Sequence, residues 1–242
     1  MLGKSRILLY FNDVNLASLL TEFLASHSIG TFMLDYSGNV VSTVQRDNYA
    51  AIIMEYNSMY AEKLLDIVSI RMLDSSLPVV VVAPGDTGSD IAVEAYNNGA
   101  DLFMRRSFSL EELLLRLQIL VSCSVGDEAL VADIRIGSLM FNPAGRTIRR
   151  ADNSGQMRTL TPIEAQILEM LASSGGDIVS RAMLLRSVWH NDNLSNTGAL
   201  DVYITRLRHL LSVDQSITIY NMRSRGYRLV VADDSPSPKL TD

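Results

Sequence analysis

Arginine is the residue whose placement in this chain most clearly points to a chemistry. Residues 134–232 contain 12 arginines and 7 acidic residues, a net charge of +5, whereas residues 1–121 contain 8 basic and 14 acidic residues, a net charge of −6. Clustered guanidinium groups attract polyanions. The second half of the chain is therefore the candidate for binding a nucleic acid, although the whole chain carries a net charge of −6.

One predicted helix in that half, residues 199–211, has two different faces. Leu200, Ile204, Leu207 and Leu211 repeat at helical spacing and are expected to face a core. The opposite stripe consists of Gly198, Val202, Thr205, Arg206 and His209, with Tyr203 beside it. A helix in the major groove reads base edges from one face, where arginine favours guanine and small apolar groups favour the thymine methyl. We therefore predict that Arg206 and Val202 read bases, and that Tyr203, Thr205 and Arg208 contact phosphates or pair within the protein.

Other kinds of chemistry find little support in the sequence. The single cysteine, Cys123, excludes an internal disulfide and a thiolate metal site. No nucleophile with a base, phosphate-binding loop or metal-ligand spacing can be recognised, so we expect no enzyme activity, no cofactor and no metal. The apolar runs are shorter than the roughly 18 residues that cross a bilayer, and the opening MLGKSRILLYF suits a strand better than a signal peptide. We expect a cytoplasmic protein that does not bind membranes.

The first half alternates short apolar strands with segments of helical period. The predicted strands are RILLYF, GTFML, AAIIME, PVVVVA and DLFMR, and the helices that follow them are Leu16 to Ser26, Val40 to Arg46, Ala61 to Met72, Ser89 to Asn98 and Leu110 to Val121. Continuously apolar strands are typical of a parallel sheet covered on both faces. The pattern predicts a doubly wound, flavodoxin-like α/β domain over residues 1–121, with its site at the carboxyl ends of the strands.

The second half predicts an α+β winged helix-turn-helix domain over residues 134–232. Short strands (IRIGSLMF, RTIRRA, QMRTL) precede three helices, the first of which begins near Thr161 and Pro162. The segment ITIYNMRSRGYRLVV reads as a hairpin with Gly226 near its turn. Residues 122–133 are predicted to form a linker, and the polar, proline-containing residues 233–242 a disordered tail.

With these segments the chain resembles the OmpR/PhoB family of two-component response regulators from Arg6 to Val231. The C-terminal match rests on LTPIEAQILEML, SRAMLLRSVW, DVYITRLRHLL and SRGYRL, and the N-terminal match on architecture and the stretch NNGADLFMRRSF. The resemblance implies a receiver domain of the CheY-like type that controls a sequence-specific transcription regulator.

The resemblance also implies a phospho-acceptor pocket, and here that pocket departs from the family pattern. A working receiver has an acidic pair, an acceptor Asp, a Thr or Ser and a Lys, and the corresponding positions in this chain are Phe11 and Asn12, Glu55, Ala83 and Arg106, with Asp13 adjacent. Without the acidic pair, the oxygen-rich site that Mg²⁺ prefers is hard to build. We predict a receiver that is not switched by phosphorylation. Glu55 and Arg106 either imitate a phosphorylated receiver or form a structural ion pair left by a decayed pocket.

The remaining contacts expected from the resemblance concern partners. The family pairs two receivers through the fourth helix, fifth strand and fifth helix, so the candidate homodimer residues are Glu94, Asp101, Leu110, Glu111, Glu112, Leu114 and Arg116. Arg223 and Arg225 would lie in a wing at the minor groove or phosphates. Trp189 would lie near the DNA backbone or anchor the core, and the loop His190 to Asn196 would touch RNA polymerase. The expected ligand is promoter DNA with direct or inverted repeats.

Two alternatives to a phosphorylation-independent transcription regulator were considered. In the first, the receiver-like domain is a sensor whose vacated pocket binds a small molecule against Phe11, Tyr56 and Met59, although such side chains near a sheet edge are usually core. In the second, the chain is a phosphatase or a phosphotransfer intermediate. The absence of a recognisable nucleophile weighs against the second.

Overall fold

The computed structural model describes residues 6–122, 133–189, 194–223 and 225–232, and the chain divides into two compact units, one mainly before residue 123 and one mainly after residue 132. In the first unit, five parallel strands form a sheet in the order β2-β1-β3-β4-β5. These strands are β1 (Arg6–Tyr10), β2 (Gly30–Leu34), β3 (Ala51–Glu55), β4 (Val79–Ala83) and β5 (Leu102–Arg105). The connecting helices are α1 (Val14–Ser26), α2 (Val40–Arg46), a 3₁₀ helix (Ser58–Leu65) that leads into α3 (Asp66–Leu73), α4 (Ser89–Asn98) and α5 (Leu110–Ser122). The predicted doubly wound α/β architecture is confirmed.

The central strands carry side chains that only a covered sheet can accommodate. Every residue of β3 and β4 is buried, which is the pattern of a parallel sheet with helices on both faces. Helix α1 begins where the Asp13 carboxylate accepts the N–H groups of Asn15 and Leu16, both at 3.1 Å. The parallel arrangement places the carboxyl ends of β1, β3, β4 and β5 along one edge of the sheet, which brings together residues that are far apart in sequence.

The described residues of the second unit form two small sheets and three helices. One sheet has the order β6-β7-β8-β9, and the other has the order β10-β12-β11. The strands are β6 (Ile134–Ile136), β7 (Leu139–Asn142), β8 (Thr147–Arg150), β9 (Arg158–Thr159), β10 (Val179–Ser180), β11 (Ile217–Met222) and β12 (Gly226–Val231), and the helices are α6 (Pro162–Ser173), α7 (Arg181–Trp189) and α8 (Leu194–Leu211). The predicted winged-helix arrangement is confirmed, with β11 and β12 as its antiparallel hairpin.

The start of β12 depends on a glycine. Gly226 has a φ of 144°, and a Cβ there would overlap the carbonyl oxygen of Val179 in β10. Only a residue without a side chain allows the two strands to pair this closely at this conformation. Gly226 therefore fixes the point at which the hairpin returns toward α7.

Two segments differ from the sequence prediction. Helix α8 begins at Leu194 rather than Ala199, so part of the expected loop His190 to Asn196 is helical, while residues 190–193 lie outside the described residues. The single helix predicted from Ala61 to Met72 is a 3₁₀ helix followed by α3. The 3₁₀ segment is itself kinked at Tyr60, whose φ and ψ angles of −132° and 40° are non-helical, and the Asn57 side chain caps its first turn by accepting the Met59 N–H.

Several other predictions cannot be followed in the structure. Nearly all of the expected linker, including Cys123, and the tail over residues 233–242 lie outside the described residues.

Among the helices that the structure describes, none combines the length and the hydropathy needed to span a bilayer.

Candidate functional sites: a receiver pocket and a nucleic-acid interface

Glu55 is the centre of the pocket at the carboxyl edge of the parallel sheet. It ends β3 and is 3% exposed. Its Oε2 atom accepts the backbone N–H of Asn12 at 2.9 Å and that of Asp13 at 2.8 Å, while its Oε1 atom accepts a bond from Arg106 Nη2 at 2.5 Å. Both oxygens of this buried carboxylate are therefore held by donors of the protein itself, as a buried charge requires.

Arg106 links the three loops that form the pocket. Its backbone N–H donates to the carbonyl of Ala83 at 2.8 Å, which fixes the residue beyond the end of β5. Its guanidinium bonds to Glu55 and also lies 3.2 Å from Asp13 Oδ2. One cation thus bridges a buried and a half-exposed carboxylate, with charge-assisted bonds to both.

The other predicted pocket residues supply no further charge. Phe11 is 3% exposed and Ala83 is fully buried, so an apolar ring and a methyl group stand at two of the pocket positions. Asn12 contributes its backbone N–H to Glu55. Within the part of the chain that the structure describes, no three His, Cys, Asp or Glu side chains group as metal ligands would.

Tyr36 is a pocket residue that the sequence analysis missed. Its hydroxyl donates to the backbone carbonyl of Glu55, and its ring packs against Tyr10 with centroids 4.8 Å apart. Burial, followed by the nearby Glu55 charge, raises the pKa of Tyr36, so the hydroxyl remains a donor. Tyr36 lies in the loop after β2, where periodicity assigns no role, and only the folded sheet shows that it contacts the end of β3.

The residues of the predicted DNA-reading face of α8 differ in their exposure to solvent. Thr205 and His209 are exposed, while Val202 and Arg206 are half-buried. The four residues predicted to face the core, Leu200, Ile204, Leu207 and Leu211, are all buried, which confirms the orientation of the helix. The stripe opposite this core is accordingly the surface that α8 offers to a ligand.

Arg206 is held by neighbours within the second unit. Its Nη1 atom lies 3.8 Å from Glu164 Oε1 at the start of α6, and its guanidinium lies 5.6 Å from the centre of the Tyr203 ring. The Arg206 side chain is 27% exposed to solvent. Arg206 would therefore contact a base while Glu164 and Tyr203 lie beside its guanidinium.

Tyr203 and Trp189 are in the core, which agrees with the alternatives that the sequence left open for them, an intramolecular contact for Tyr203 and a core anchor for Trp189. Tyr203 is fully buried and Trp189 is 1% exposed, with their ring centroids 5.9 Å apart. Two large aromatic rings that pack together bury more apolar area than a surface contact would. Arg208 pairs within the protein, since its Nε and Nη2 atoms donate to the Ile219 carbonyl at 2.9 and 2.8 Å.

The tip of the β11–β12 hairpin carries the two predicted wing arginines. Arg223 and Arg225 are both exposed, and Arg225 closes the turn through its backbone N–H to the Met222 carbonyl at 2.8 Å. Ser224 between them lies outside the described residues. The hairpin thus presents two cations to solvent at its end.

A polar network that no sequence pattern indicated joins α7, α8 and β12. Arg181 Nη2 donates to Asp201 Oδ2 at 2.6 Å, Tyr227 Oη donates to Asp201 Oδ1 at 2.5 Å, and Arg181 Nη1 donates to Tyr227 Oη at 2.5 Å. The three residues are separated by 20 and 26 positions, so no local pattern could have grouped them.

Comparison with known proteins agrees with both units. Residues 155–229 match the family described as "Transcriptional regulatory protein, C terminal". The response regulator MprA of Mycobacterium bovis is 31% identical over 163 residues, which span 66% of this chain and 69% of MprA. The chain belongs to the OmpR/PhoB family of DNA-binding response regulators.

Further similarities of this response regulator extend over nearly its full length. The transcriptional regulatory protein RprY of Bacteroides fragilis is 26% identical over 231 residues, 95% of this chain and 96% of RprY. A solved structure of a RitR mutant superposes with a TM-score of 0.66 and 22% identity, covering 92% of this chain and 97% of that one. The latter supports the fold alone.

The expected receiver-pairing face of this response regulator is only partly at the surface. Glu94 and Glu111 are exposed, Leu110, Glu112 and Arg116 are half-buried, and Glu112 pairs with Arg116 at 2.7 Å. Asp101 and Leu114 correct the prediction. Asp101 is fully buried, because it accepts bonds from Arg71 at 2.5 Å and from the Val79 N–H at 2.9 Å, and Leu114 is 7% exposed because α5 buries more than one stripe. Leu115, which the prediction omitted, is 58% exposed.

Proposed function

We propose that this response regulator binds specific promoter DNA as a homodimer and does so without phosphorylation of its receiver. The observation that carries the proposal is the paired state of Glu55, whose two oxygens are occupied by two backbone N–H groups and by Arg106. An acceptor must present a free carboxylate oxygen to a phosphoryl group. This carboxylate presents none without breaking charge-assisted bonds in a nearly inaccessible position.

The surroundings of Glu55 support the same proposal. Metal-assisted phosphoryl transfer needs oxygen ligands that hold Mg²⁺ beside the acceptor. Here Phe11 fills one of the positions, and the Arg106 guanidinium lies between Glu55 and Asp13. A cation fixed in the protein therefore occupies the place where a divalent metal would be needed.

A small-molecule sensor is less well supported by the same residues. Phe11 and Tyr56 are 3% and 8% exposed, whereas Met59 is 81% exposed. Two of the three side chains that were expected to line one ligand site are thus buried, as core residues are.

The proposed DNA contacts follow from the exposed stripe of α8 and from the hairpin. Val202 and Arg206 read base edges, Thr205 and His209 lie on the same face, and Arg223 and Arg225 enter a minor groove or bind phosphates. RNA polymerase would contact the segment from His190 to Asn196. The dimer would form through the exposed part of the pairing face, from Glu94 to the residues of α5.

The test is to incubate the full chain with acetyl phosphate and Mg²⁺, and to measure its intact mass and its affinity for a DNA duplex selected from a random library. We expect neither quantity to change. A stoichiometric phosphorylated product that maps to the receiver would contradict the proposal.

Sedimentation of Glu55→Gln separates the two interpretations of the pocket. If the negative charge holds the receiver in its pairing form, the variant dimerises less tightly than the wild type. An unchanged dimer indicates instead that the pair only stabilises the fold.

A further inference from the structure

Two separate polar ties attach the β11–β12 hairpin to α8. The first is the network of Arg181, Asp201 and Tyr227, in which each residue bonds to the other two at 2.5 to 2.6 Å. The second is the fork of Arg208, which donates twice to the Ile219 carbonyl of β11. Asp201 and Arg208 are seven residues apart on one helix, which is about 10 Å or two turns.

Two points of attachment along α8 fix the orientation of the hairpin as well as its position. A hairpin held at a single point could rotate about it, whereas one held at two points about 10 Å apart along the helix cannot. The first tie reaches β12 and the second reaches β11, so each strand of the hairpin is attached to α8 directly. The exposed Arg223 and Arg225 at the tip therefore have a fixed place relative to Val202 and Arg206.

The charge states favour the first tie at neutral pH. Burial acts to raise the pKa of Asp201, but the hydrogen bonds from Arg181 and Tyr227, together with the charges of Arg181 and Arg208, lower it on balance. Burial, followed by the bond to Asp201, raises the pKa of Tyr227 to about 12. The carboxylate is thus ionised and the phenol protonated, which is the arrangement that the three hydrogen bonds require.

We propose that Arg181, Asp201 and Tyr227 are positioning residues that set the spacing, along the DNA, between the bases read by α8 and the flanking segment contacted by the hairpin tip. The inference rests on the proposed function, since it requires both contacts to be made. It adds that the spacing is a property of this network, and not of α8 or the hairpin alone.

The network suits a variant that keeps the fold. Tyr227 is 1% exposed, and Tyr227→Phe retains its buried ring while it removes the hydroxyl that bonds to both partners. Asp201 keeps 57% of its side-chain exposure, so water can solvate the carboxylate that loses its phenol. Tyr220→Phe is the matched control, because it removes a hydroxyl from the same hairpin at a residue that is 52% exposed.

The experiment begins with selection of duplexes by the full-length wild type from a library of random DNA. The selected sequence is then compared with a copy in which one base pair, about 3.4 Å of duplex, is inserted between the core motif and its flank. We expect the wild type and Tyr220→Phe to prefer the selected spacing by about tenfold, which corresponds to 1.4 kcal/mol. Tyr227→Phe should reduce that preference to about threefold or less while its melting temperature stays near that of the wild type.

The outcomes distinguish failure of this inference from failure of the proposed function. A Tyr227→Phe protein that keeps the tenfold preference overturns the inference, and so does one that loses affinity equally for both duplexes, because the network would then act only on folding or general binding. A wild type that prefers neither spacing also overturns it. Failure of the wild type to select any sequence would instead refute the proposed function, and it is visible before any variant is made.

Discussion

Replacement of Glu55 by Gln tests whether the receiver pocket is a strong internal ion pair. The amide keeps the shape of the side chain but has one acceptor oxygen in place of two. If that oxygen stays on the N–H groups of Asn12 and Asp13, the amide NH₂ faces the Arg106 guanidinium, and two donors oppose each other. At least one charge-assisted bond is lost in a site where Glu55 is 3% exposed.

We expect the loss of stability to lie between the loss from breaking a buried ion pair and the loss from breaking a surface ion pair. A bond to a charged group contributes about 1.5–3 kcal/mol, and breaking a buried pair costs about 3–5 kcal/mol. The Arg106 side chain is 32% exposed, so water solvates its guanidinium and compensates part of the lost stability. We therefore expect Glu55→Gln to lower the free energy of unfolding of the receiver by about 2–3 kcal/mol.

Glu112→Gln is the matched control in the same domain. Glu112 bonds to Arg116 at 2.7 Å but keeps 44% of its side-chain exposure, so the loss should be under about 1 kcal/mol. The two variants compare ion pairs of similar length whose carboxylates differ in burial, 3% against 44% exposed, and Glu55 additionally accepts two backbone N–H groups. The control thereby separates the effect of burial from that of bond length.

Urea unfolding of the full chain measures both variants. Far-UV circular dichroism follows both units, while the fluorescence of Trp189, the single tryptophan of the sequence, follows the second unit. With a urea dependence of about 1–3 kcal/mol per molar, Glu55→Gln should shift the receiver transition by about 0.7–3 M and leave the fluorescence transition in place. Equal losses for Glu55→Gln and Glu112→Gln would refute the reasoning from burial.

Three further predictions concern the second unit. Arg206→Ala should weaken specific binding by about 1–3 kcal/mol and relax the preference at one base position of each half-site, as titration against duplexes randomised at single positions would measure. Arg223→Ala should weaken binding to many sequences alike and lower the slope of log affinity against log salt by about one, which a salt series checks; losses largest on A·T-rich flanks would indicate minor-groove reading instead. Hydrogen bonds from Ser138 and Ser216 lower the pKa of Asp214 from 3.8, so the stability it contributes is present above pH 3.8 and is lost as the pH falls below it. The unfolding midpoints of wild type and Asp214→Asn should accordingly differ at pH 6 and converge in acid, and a difference that does not change with pH would contradict this.

Periodicity and composition predicted the elements well because most elements bury one regular face. The strand GTFML was predicted with the bounds that the structure gives to β2, and the helix over Val40 to Arg46 with those of α2. The buried stripe of α8 was likewise predictable, because Leu200, Ile204, Leu207 and Leu211 follow a helical period. The elements that deviated, such as the 3₁₀ helix over Ser58–Leu65, depend on single backbone angles that the period does not reveal.

The site residues were less predictable because their roles depend on contacts between elements. Pairing of Glu55 with Arg106 was expected because the family resemblance assigns both positions to one pocket, and the structure gives the expected contact. The burial of Asp101 was not foreseen, since the sequence shows an acidic residue after a glycine but not that Arg71 reaches it from α3. Tyr203 was placed at the edge of the reading face, and its ring packs inward on Trp189 because α8 buries a wider face than its leucines alone define.

The closed pocket also bears on how this sequence can change over many generations. A change of Glu55 to Asp shortens the side chain and weakens its bonds. A change of Arg106 to a smaller cation removes the guanidinium that bonds to both Glu55 and Asp13, and an acid at position 11 adds a charge where the side chain is 3% exposed. Each single step lowers stability before any metal site exists to offset the loss. Proteins near a stability threshold tolerate few such steps in succession. Positions 11, 55 and 106 are therefore expected to change together, or only after stabilising substitutions elsewhere in the chain.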